Sequence, residues 1–368
     1  MMVAPQLPIR VMVVDDSAFM RYTVTRHLDA DPDITVVGSA RDGLEALAKI
    51  PALRPDVVTL DVEMPRLDGL ATLKRIMAEC PTPVVMLSSL TQRGARTTVQ
   101  ALMRGAVDFV AKPAVSGDTE AVMAELISKV KLAANVRHGA RDSSPERPHT
   151  PPPVIEPVVA EASIVLDKPG PRPFHLGDPV LVIGASTGGP RALQRVLSDL
   201  PGDLPAAVVV VQHMPAGFTR SLAQRLNETC AISVQEAASG DRLACGLALL
   251  APGDYHLRFE GRHQVVLDQG PRRHHVRPAV DITMESAARQ HGAHVVGAVL
   301  TGMGSDGTAG CRAIKEAGGC VAAEAESTSV VFGMPRSVIE AGLADHVVPL
   351  DEMGALLTSL VTDGRSGV

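Results

Sequence analysis

Pro179-Val180-Leu181-Val182-Ile183-Gly184-Ala185-Ser186-Thr187-Gly188-Gly189-Pro190 is the stretch on which the fold of the second half of the chain turns. The apolar, mostly β-branched run 180–183 reads as a buried strand. Gly184, Gly188 and Gly189 force a tight turn, and a helical pattern follows from Pro190. Ser186 therefore stands at the C-terminal end of a strand and faces the N-terminus of a helix, where open α/β sheets bind their ligands. Free N–H groups and the positive dipole end at that place suit an anion or a developing oxyanion. The string Gly184-x-Ser186-x-Gly188 also matches the nucleophile elbow. Two readings compete: a nucleophilic serine, or a glycine loop that cradles phosphate.

Working outward, further strands are expected at 207–211, 247–250 and 295–300, and helices at 191–200, 217–229, 282–291 and 307–317. The runs 255–259 and 265–267 flank a turn at Gly261 and suggest an antiparallel β-hairpin. Toward the N-terminus, strands at 10–14, 35–40, 57–60, 84–87 and 108–111 alternate with helices at 18–28, 43–49, 70–78, 97–104 and 119–132, the pattern of a doubly wound parallel sheet. Between them prolines recur and no amphipathic period survives, which reads as an extended linker. The expected architecture is two doubly wound parallel-sheet α/β domains joined by that linker: a flavodoxin-like unit at 8–132, the linker at 133–177, and a Rossmann-like unit with the hairpin at 178–362.

The bulk composition narrows the function classes. With aromatics at 2% and no Trp, the cores must be built from Val, Leu, Ile, Ala and Met, which suits buried parallel sheets. A formal net charge of -6 argues against nucleic acid or an anionic membrane as the main partner. Cys80, Cys230, Cys245, Cys311 and Cys320 show no CxxC spacing and read as reduced, structural thiols. No signal run and no apolar stretch long enough to span a bilayer is present, so a cytoplasmic protein is expected.

The two readings of the Ser186 loop make different demands. A dinucleotide site wants Asp or Glu at the end of the second strand to hold a ribose; here 207–211 leads into Gln212-His213-Met214-Pro215. No Lys follows the glycines, so the loop is not a P-loop either. A nucleophile wants a base and a group to orient it. His213 ends the strand expected beside that of Ser186, and Asp306 lies in the Gly-rich loop Thr301-Gly302-Met303-Gly304-Ser305-Asp306-Gly307 after the strand 295–300. Asp306 could also be a plain turn residue or a helix cap. Its company with Ser186 and His213, each following an apolar strand, favours the catalytic set. Backbone N–H groups near Ser186 or in the Met303 loop are the expected oxyanion donors.

In the first half, Asp15, Asp16 and Asp61 all fall at C-terminal strand ends and so converge on one sheet edge. Three carboxylates there repel one another unless a cation sits among them, and an oxygen-only site suits Mg²⁺. Ser88 and Lys112 end two further strands. Carboxylates, Mg²⁺, a hydroxyl and a lysine are the parts needed to hold a phosphoryl group during transfer to a carboxylate.

Two resemblances follow from these motifs. Val13-Val14-Asp15-Asp16-Ser17, Leu60-Asp61-Val62-Glu63-Met64-Pro65-x-x-Asp68-Gly69 and Lys112-Pro113 resemble the receiver domain of two-component response regulators. That implies Asp61 as phosphoacceptor, Asp15, Asp16 and Asp61 as Mg²⁺ ligands, Lys112 as phosphate contact, Ser88 as switch hydroxyl and Phe109 as switch aromatic. Ile183 to Gly189, Gln212-His213-Met214-Pro215, Leu249 to Asp254, Arg277-Pro278, Leu300 to Gly307 and Val331 to Arg336 look like the chemotaxis protein-glutamate methylesterase domain. The resemblance implies a Ser186–His213–Asp306 hydrolase, without a cofactor in the esterase site. Its substrates would be methyl-accepting chemoreceptors, demethylated at γ-glutamyl methyl esters and deamidated at glutamines. A chemotaxis histidine kinase would be the phosphodonor, and an unphosphorylated receiver would cover the catalytic mouth. The rival class, a regulator whose output domain binds DNA, would need a strongly basic recognition helix. None is found; Arg272-Arg273-His274-His275 reads as a loop, either a solvated patch or a receptor contact.

Overall fold

A computed structural model describes residues 7–113, 119–141 and 168–363. The first unit runs β1 (Ile9–Val14), α1 (Ala18–Asp29), β2 (Ile34–Ala40), α2 (Gly43–Leu53), β3 (Val57–Asp61), α3 (Gly69–Glu79), β4 (Val84–Ser88), α4 (Gln92–Met103), β5 (Asp108–Ala111) and α5 (Thr119–Arg141). Its five strands are parallel in the order β2-β1-β3-β4-β5, the flavodoxin-like arrangement. β3 and β4 are buried at every position, so their uninterrupted apolar runs reflect helices on both faces. The switch from leftward to rightward winding falls between β1 and β3, which brings Asp15 and Asp61 to one crevice. α5 continues to Arg141, beyond the helix end expected near 132. Most of the expected linker, 142–167, lies outside the described residues.

The second unit runs β6 (Arg172–Pro173), β7 (Val180–Ala185), α6 (Gly189–Asp199), β8 (Ala207–Gln212), α7 (Phe218–Thr229), β9 (Ser233–Glu236), β10 (Ala244–Cys245), β11 (Leu247–Leu250), β12 (His256–Glu260), β13 (Gln264–Asp268), α8 (Val280–His291), β14 (Val295–Val299), α9 (Thr308–Glu316), β15 (Cys320–Glu324), α10 (Met334–Glu340), β16 (His346–Val348) and α11 (Leu350–Asp363). Seven parallel strands lie in the order β16-β15-β14-β7-β8-β11-β9. β7 is central, flanked by β14 and β8, with Gly184 level with Val299 and Ala185 level with Gln212. That register places the loops after β7, β8 and β14 at one edge. β12 and β13 form the expected antiparallel hairpin. Among the described residues all five cysteines are free thiols.

The helix starts differ between the two units. Ser17, Asp42, Asp68 and Thr91 cap α1 to α4 with their own side chains. At the opposite extreme, α6, α7 and α9 begin at Gly188, Gly217 and Gly307, with φ of 78°, 86° and 99°, and no capping side chain from that position. Their first N–H groups are thus left for partners from elsewhere, beside the residues of the second sheet edge.

The two units share a core. One buried cluster continues from the first sheet through Ala95, Val99 and Leu102 of α4 to Leu193, Phe218 and Leu222 of α6 and α7. Phe109 stacks on Phe218 with ring centroids 4.5 Å apart. The Thr187 hydroxyl, one residue from Ser186, donates to Asp108 of β5, and Lys129 of α5 braces the other oxygen of that carboxylate at 3.2 Å.

Candidate active site

The backbone of Ser186 is fixed from both neighbouring strands. Its N–H donates to the Thr301 carbonyl (3.0 Å), and its C=O accepts from Gly189 N–H (2.8 Å) and the Gln212 side-chain amide (2.9 Å). Two glycines give it room. A Cβ on Gly302 would come within 2.7 Å of Ser186 Cβ, and one on Gly188 within 2.7 Å of Val330 Cβ. The Ser186 N–H is therefore engaged and is not an oxyanion donor, which narrows the sequence-based expectation. Among the described residues, the N–H groups of Thr187 and Gly188 donate to nothing.

His213 follows β8 with its side chain only 11% exposed, and its Nε2 lies 2.7 Å from Asp306 Oδ2. Asp306 is 2% exposed. Its Oδ2 also accepts Val280 N–H (2.7 Å), and its Oδ1 accepts the N–H groups of Asp281 (2.9 Å) and Gly307 (3.0 Å). Burial alone would raise this carboxyl. The His213 hydrogen bond and charge, with the N–H groups of Asp281 and Val280, outweigh burial and hold it below the ordinary carboxylate value. An ionised Asp306 accepts, so His213 Nε2 donates and Nδ1 is left as the basic nitrogen. Among the described residues no hydrogen bond joins that ring to the Ser186 hydroxyl; in unliganded enzymes such contacts tighten only when substrate is bound.

The surroundings contain residues that the motifs did not single out. Asp281 in the first turn of α8 is 1% exposed and bonds His274 Nε2 (2.8 Å), with Arg273 3.4 Å away. The sequence reads His274 as part of a basic loop, either a solvated patch or a receptor contact; its ring faces this carboxylate. Every oxygen of Asp281 and Asp306 already accepts from donors, so the cluster of these two with His274 is no cation site. Buried Glu324, at the end of β15, accepts the Thr301 N–H (2.8 Å) and so steadies the carbonyl that holds Ser186. The signal for Asp281 was present as an acid in a helix first turn; Glu324 had none, because β15 was not recognised as a strand.

At the first sheet edge, Asp15 and Asp61 are buried, Asp16 is exposed, and single oxygens of the three lie within 4.8 Å of one another. Lys112 Nζ is 2.8 Å from both Asp15 Oδ2 and Asp61 Oδ2. Asp15 Oδ2, fully enclosed, accepts no well-directed hydrogen bond despite that ion pair. An under-satisfied buried carboxylate oxygen beside two further carboxylates fits Mg²⁺, and exposed Asp16 leaves a side for the waters this ion retains. Burial pushes Asp61 up to about 6; Lys112 opposes that and the charge of Asp15 adds to it. Ser88 is buried, accepts from Thr98 Oγ1 at 2.7 Å and donates to Ser89 O, and so faces α4. Phe109 is buried against Phe218.

The sequence matches the models of two families: CheB methylesterase over residues 181–357 and the response regulator receiver domain over residues 11–124. A protein-glutamate methylesterase/protein-glutamine glutaminase of Symbiobacterium thermophilum is 50% identical over 369 residues, covering 98% of this chain and 99% of that relative. Relatives of the same description are 50% identical in Geobacillus kaustophilus, covering 96% of this chain and 99% of the relative, and 45% identical in Thermotoga maritima, covering 96% and 98%. Among the described residues no helix is long and apolar enough to cross a membrane.

The Asp61 environment has a stability consequence. A carboxyl raised to about 6 in the fold costs stability once ionised: the cost is absent below the unfolded value near 4 and complete above about pH 6. In metal-free buffer at pH 7.5, Asp61→Asn is expected to be more stable than the native chain by on the order of 2 kcal/mol, with the gap closing toward pH 4. Urea melts at both pH values measure it; a gap that is absent at pH 7.5, or that widens on acidification, contradicts the assignment.

Proposed function

Because the chain belongs to the CheB family, a protein-glutamate methylesterase/protein-glutamine glutaminase behind a receiver domain, we propose that Ser186, His213 and Asp306 perform its hydrolysis and that Asp61 controls it. The observation that carries the reading is the 2.7 Å His213–Asp306 pair, set beside Ser186 by the adjacency of β14, β7 and β8.

The Ser186 hydroxyl attacks the γ-carbonyl of a glutamyl methyl ester while His213 Nδ1 takes its proton. The developing oxyanion is met by N–H groups at the start of α6, with Thr187 and Gly188 the free donors. His213 returns the proton to the departing oxygen, and methanol leaves the acyl-enzyme. Water, deprotonated by the same imidazole, then releases the glutamate and restores Ser186. With a glutamine the leaving group is ammonia. Asp306 holds the ring in the tautomer that leaves Nδ1 free and stabilises the imidazolium. Methyl-accepting chemoreceptors in the cytoplasm are the substrates, which makes the reaction one of sensory adaptation.

In the receiver, Asp61 accepts the phosphoryl group from a chemotaxis histidine kinase. Asp15, Asp16 and Asp61 would hold Mg²⁺, which neutralises the phosphoryl oxygens when bound. Lys112, between Asp15 and Asp61, is positioned to pair with the new phosphate. Losing one of its two carboxylate partners lets it move, and the β5 strand carries that movement to Asp108 and Phe109. Both residues contact the catalytic unit, Asp108 at Thr187 and Phe109 at Phe218. Phosphorylation thus acts on an interface one residue from the nucleophile.

Ser186→Ala is expected to lower methanol release from methylated receptor at least about 10³-fold while leaving Asp61 phosphorylation intact. Retained activity would remove Ser186 from its role. Acetyl phosphate with Mg²⁺ is expected to raise methanol release several-fold in the native chain and to leave Asp61→Asn unchanged. An unphosphorylated native chain already at the maximal rate contradicts control from Asp61.

A further inference from the structure

Two buried carboxylates and two helix starts are cross-wired beside His213. Asp306 lies just ahead of α9, yet it accepts the first two N–H groups of α8, those of Val280 and Asp281. Asp281 lies in α8, yet its Oδ1 accepts Gly307 N–H (2.9 Å) and Gly310 N–H (2.8 Å) at the start of α9. Each helix is capped by an acid from the other. Neither has a side-chain cap from its own N-cap position, which is Ala279 in α8 and Gly307 in α9. Gly310 permits the close approach, since a Cβ there would stand 2.5 Å from Met284 Cβ.

From this geometry we propose that Asp281 is a positioning residue for hydrolysis: it fixes the 306–310 turn, and through it the Asp306 carboxylate that orients His213. The chain of contacts is short. Gly307 N–H is shared between Asp281 Oδ1 and Asp306 Oδ1, so the two acids hold opposite sides of one peptide group. Two helix starts supply four N–H groups to the pair, and the His274 ring and Arg273 guanidinium lie against the second oxygen of Asp281. Arg273 is in turn held by Glu285 at 2.8 Å. Without Asp281, Gly310 N–H loses its side-chain acceptor and Gly307 N–H keeps only Asp306 Oδ1, so the peptide after Asp306 is held from one side instead of two. A displacement of the order of 1 Å in such a group costs about 10²-fold in rate.

The inference rests on the Ser186–His213–Asp306 reading, and the test separates the two. Full-length protein, phosphorylated at Asp61, is titrated with a fluorophosphonate, and kcat is expressed per labelled Ser186. Absence of labelling in the native chain refutes the catalytic reading itself. Given labelling, Asp281→Ala is expected to lower kcat at least about tenfold with a much smaller change in KM. Asp281→Asn is equally uncharged, but its amide oxygen can still accept from Gly307 and Gly310; it should recover most of the kcat, which loss of charge alone would not allow. If Asp281→Ala does not fold, Asp281→Ser, whose single hydroxyl reaches at most one of the two N–H groups, takes its place with the same expectation. Native kcat per labelled serine in Asp281→Ala or Asp281→Ser would overturn the proposal. So would equal impairment in Asp281→Asn.

Discussion

A carboxylate taken out of water must find hydrogen-bond donors or a cation, and among the described residues eight are buried, six of them at or between the two candidate sites. Asp15, Asp61, Asp108, Asp281, Asp306 and Glu324 are each at most 9% exposed. How each is satisfied accounts for much of what the protein does. An ionised group with no partner in a low-dielectric interior costs several kcal/mol, so each site has a matching device within hydrogen-bond distance. Asp306 and Asp281 are met by helix N–H groups, Glu324 by Thr301 N–H, Asp108 by Lys129 and Thr187, and Asp15 and Asp61 by Lys112.

The devices differ in how complete they are, and the difference sorts them by role. Asp306 has four donors and sits below its ordinary pKa. It is fixed and charged, as an orienting group requires. Asp61 shares one ammonium with Asp15 and is pushed up to about 6. It has fewer donors than Asp306, as suits a group that is to take up a cation and a phosphoryl group. Asp108 lies between the two. Its partners come from both units, so its satisfaction depends on their docking. A change at the Lys112 end of β5 therefore has a direct route to the Thr187 hydroxyl and the loop of Ser186.

The sequence made the sheet edges legible because the chemistry follows apolar runs. Val180 to Ile183 ahead of Ser186, and Ala207 to Val211 ahead of Gln212-His213, announce both a strand and its end. Parallel pairing then brings the ends together without further information. Short or weakly patterned strands were not legible: His346-Val347-Val348 and Cys320 to Glu324 carry little periodicity, and Glu324 was lost with them. The Asp281–His274 contact was hidden for another reason. It joins a helix first turn to a loop seven residues earlier, and a basic run on its own reads as solvated. The resemblance implied a receiver over the catalytic mouth and Phe109 as switch aromatic, but the docking of Phe109 on Phe218 was not legible, since nothing in either local pattern specifies a partner in the other unit. Ser88 was assigned a switch role by resemblance, and its bond to Thr98 places it against α4, the helix that packs on α6 and α7.

The tautomer of His213 is the most direct measure of whether Asp306 plays the part given to it. With ¹⁵N-labelled histidine in the full-length chain, NMR at neutral pH distinguishes which ring nitrogen carries the proton. The account predicts a proton on His213 Nε2, shifted far downfield by the Asp306 hydrogen bond and returning toward the ordinary range in Asp306→Asn. A ring protonated at Nδ1 alone, or an Nε2 proton indifferent to Asp306→Asn, would contradict it.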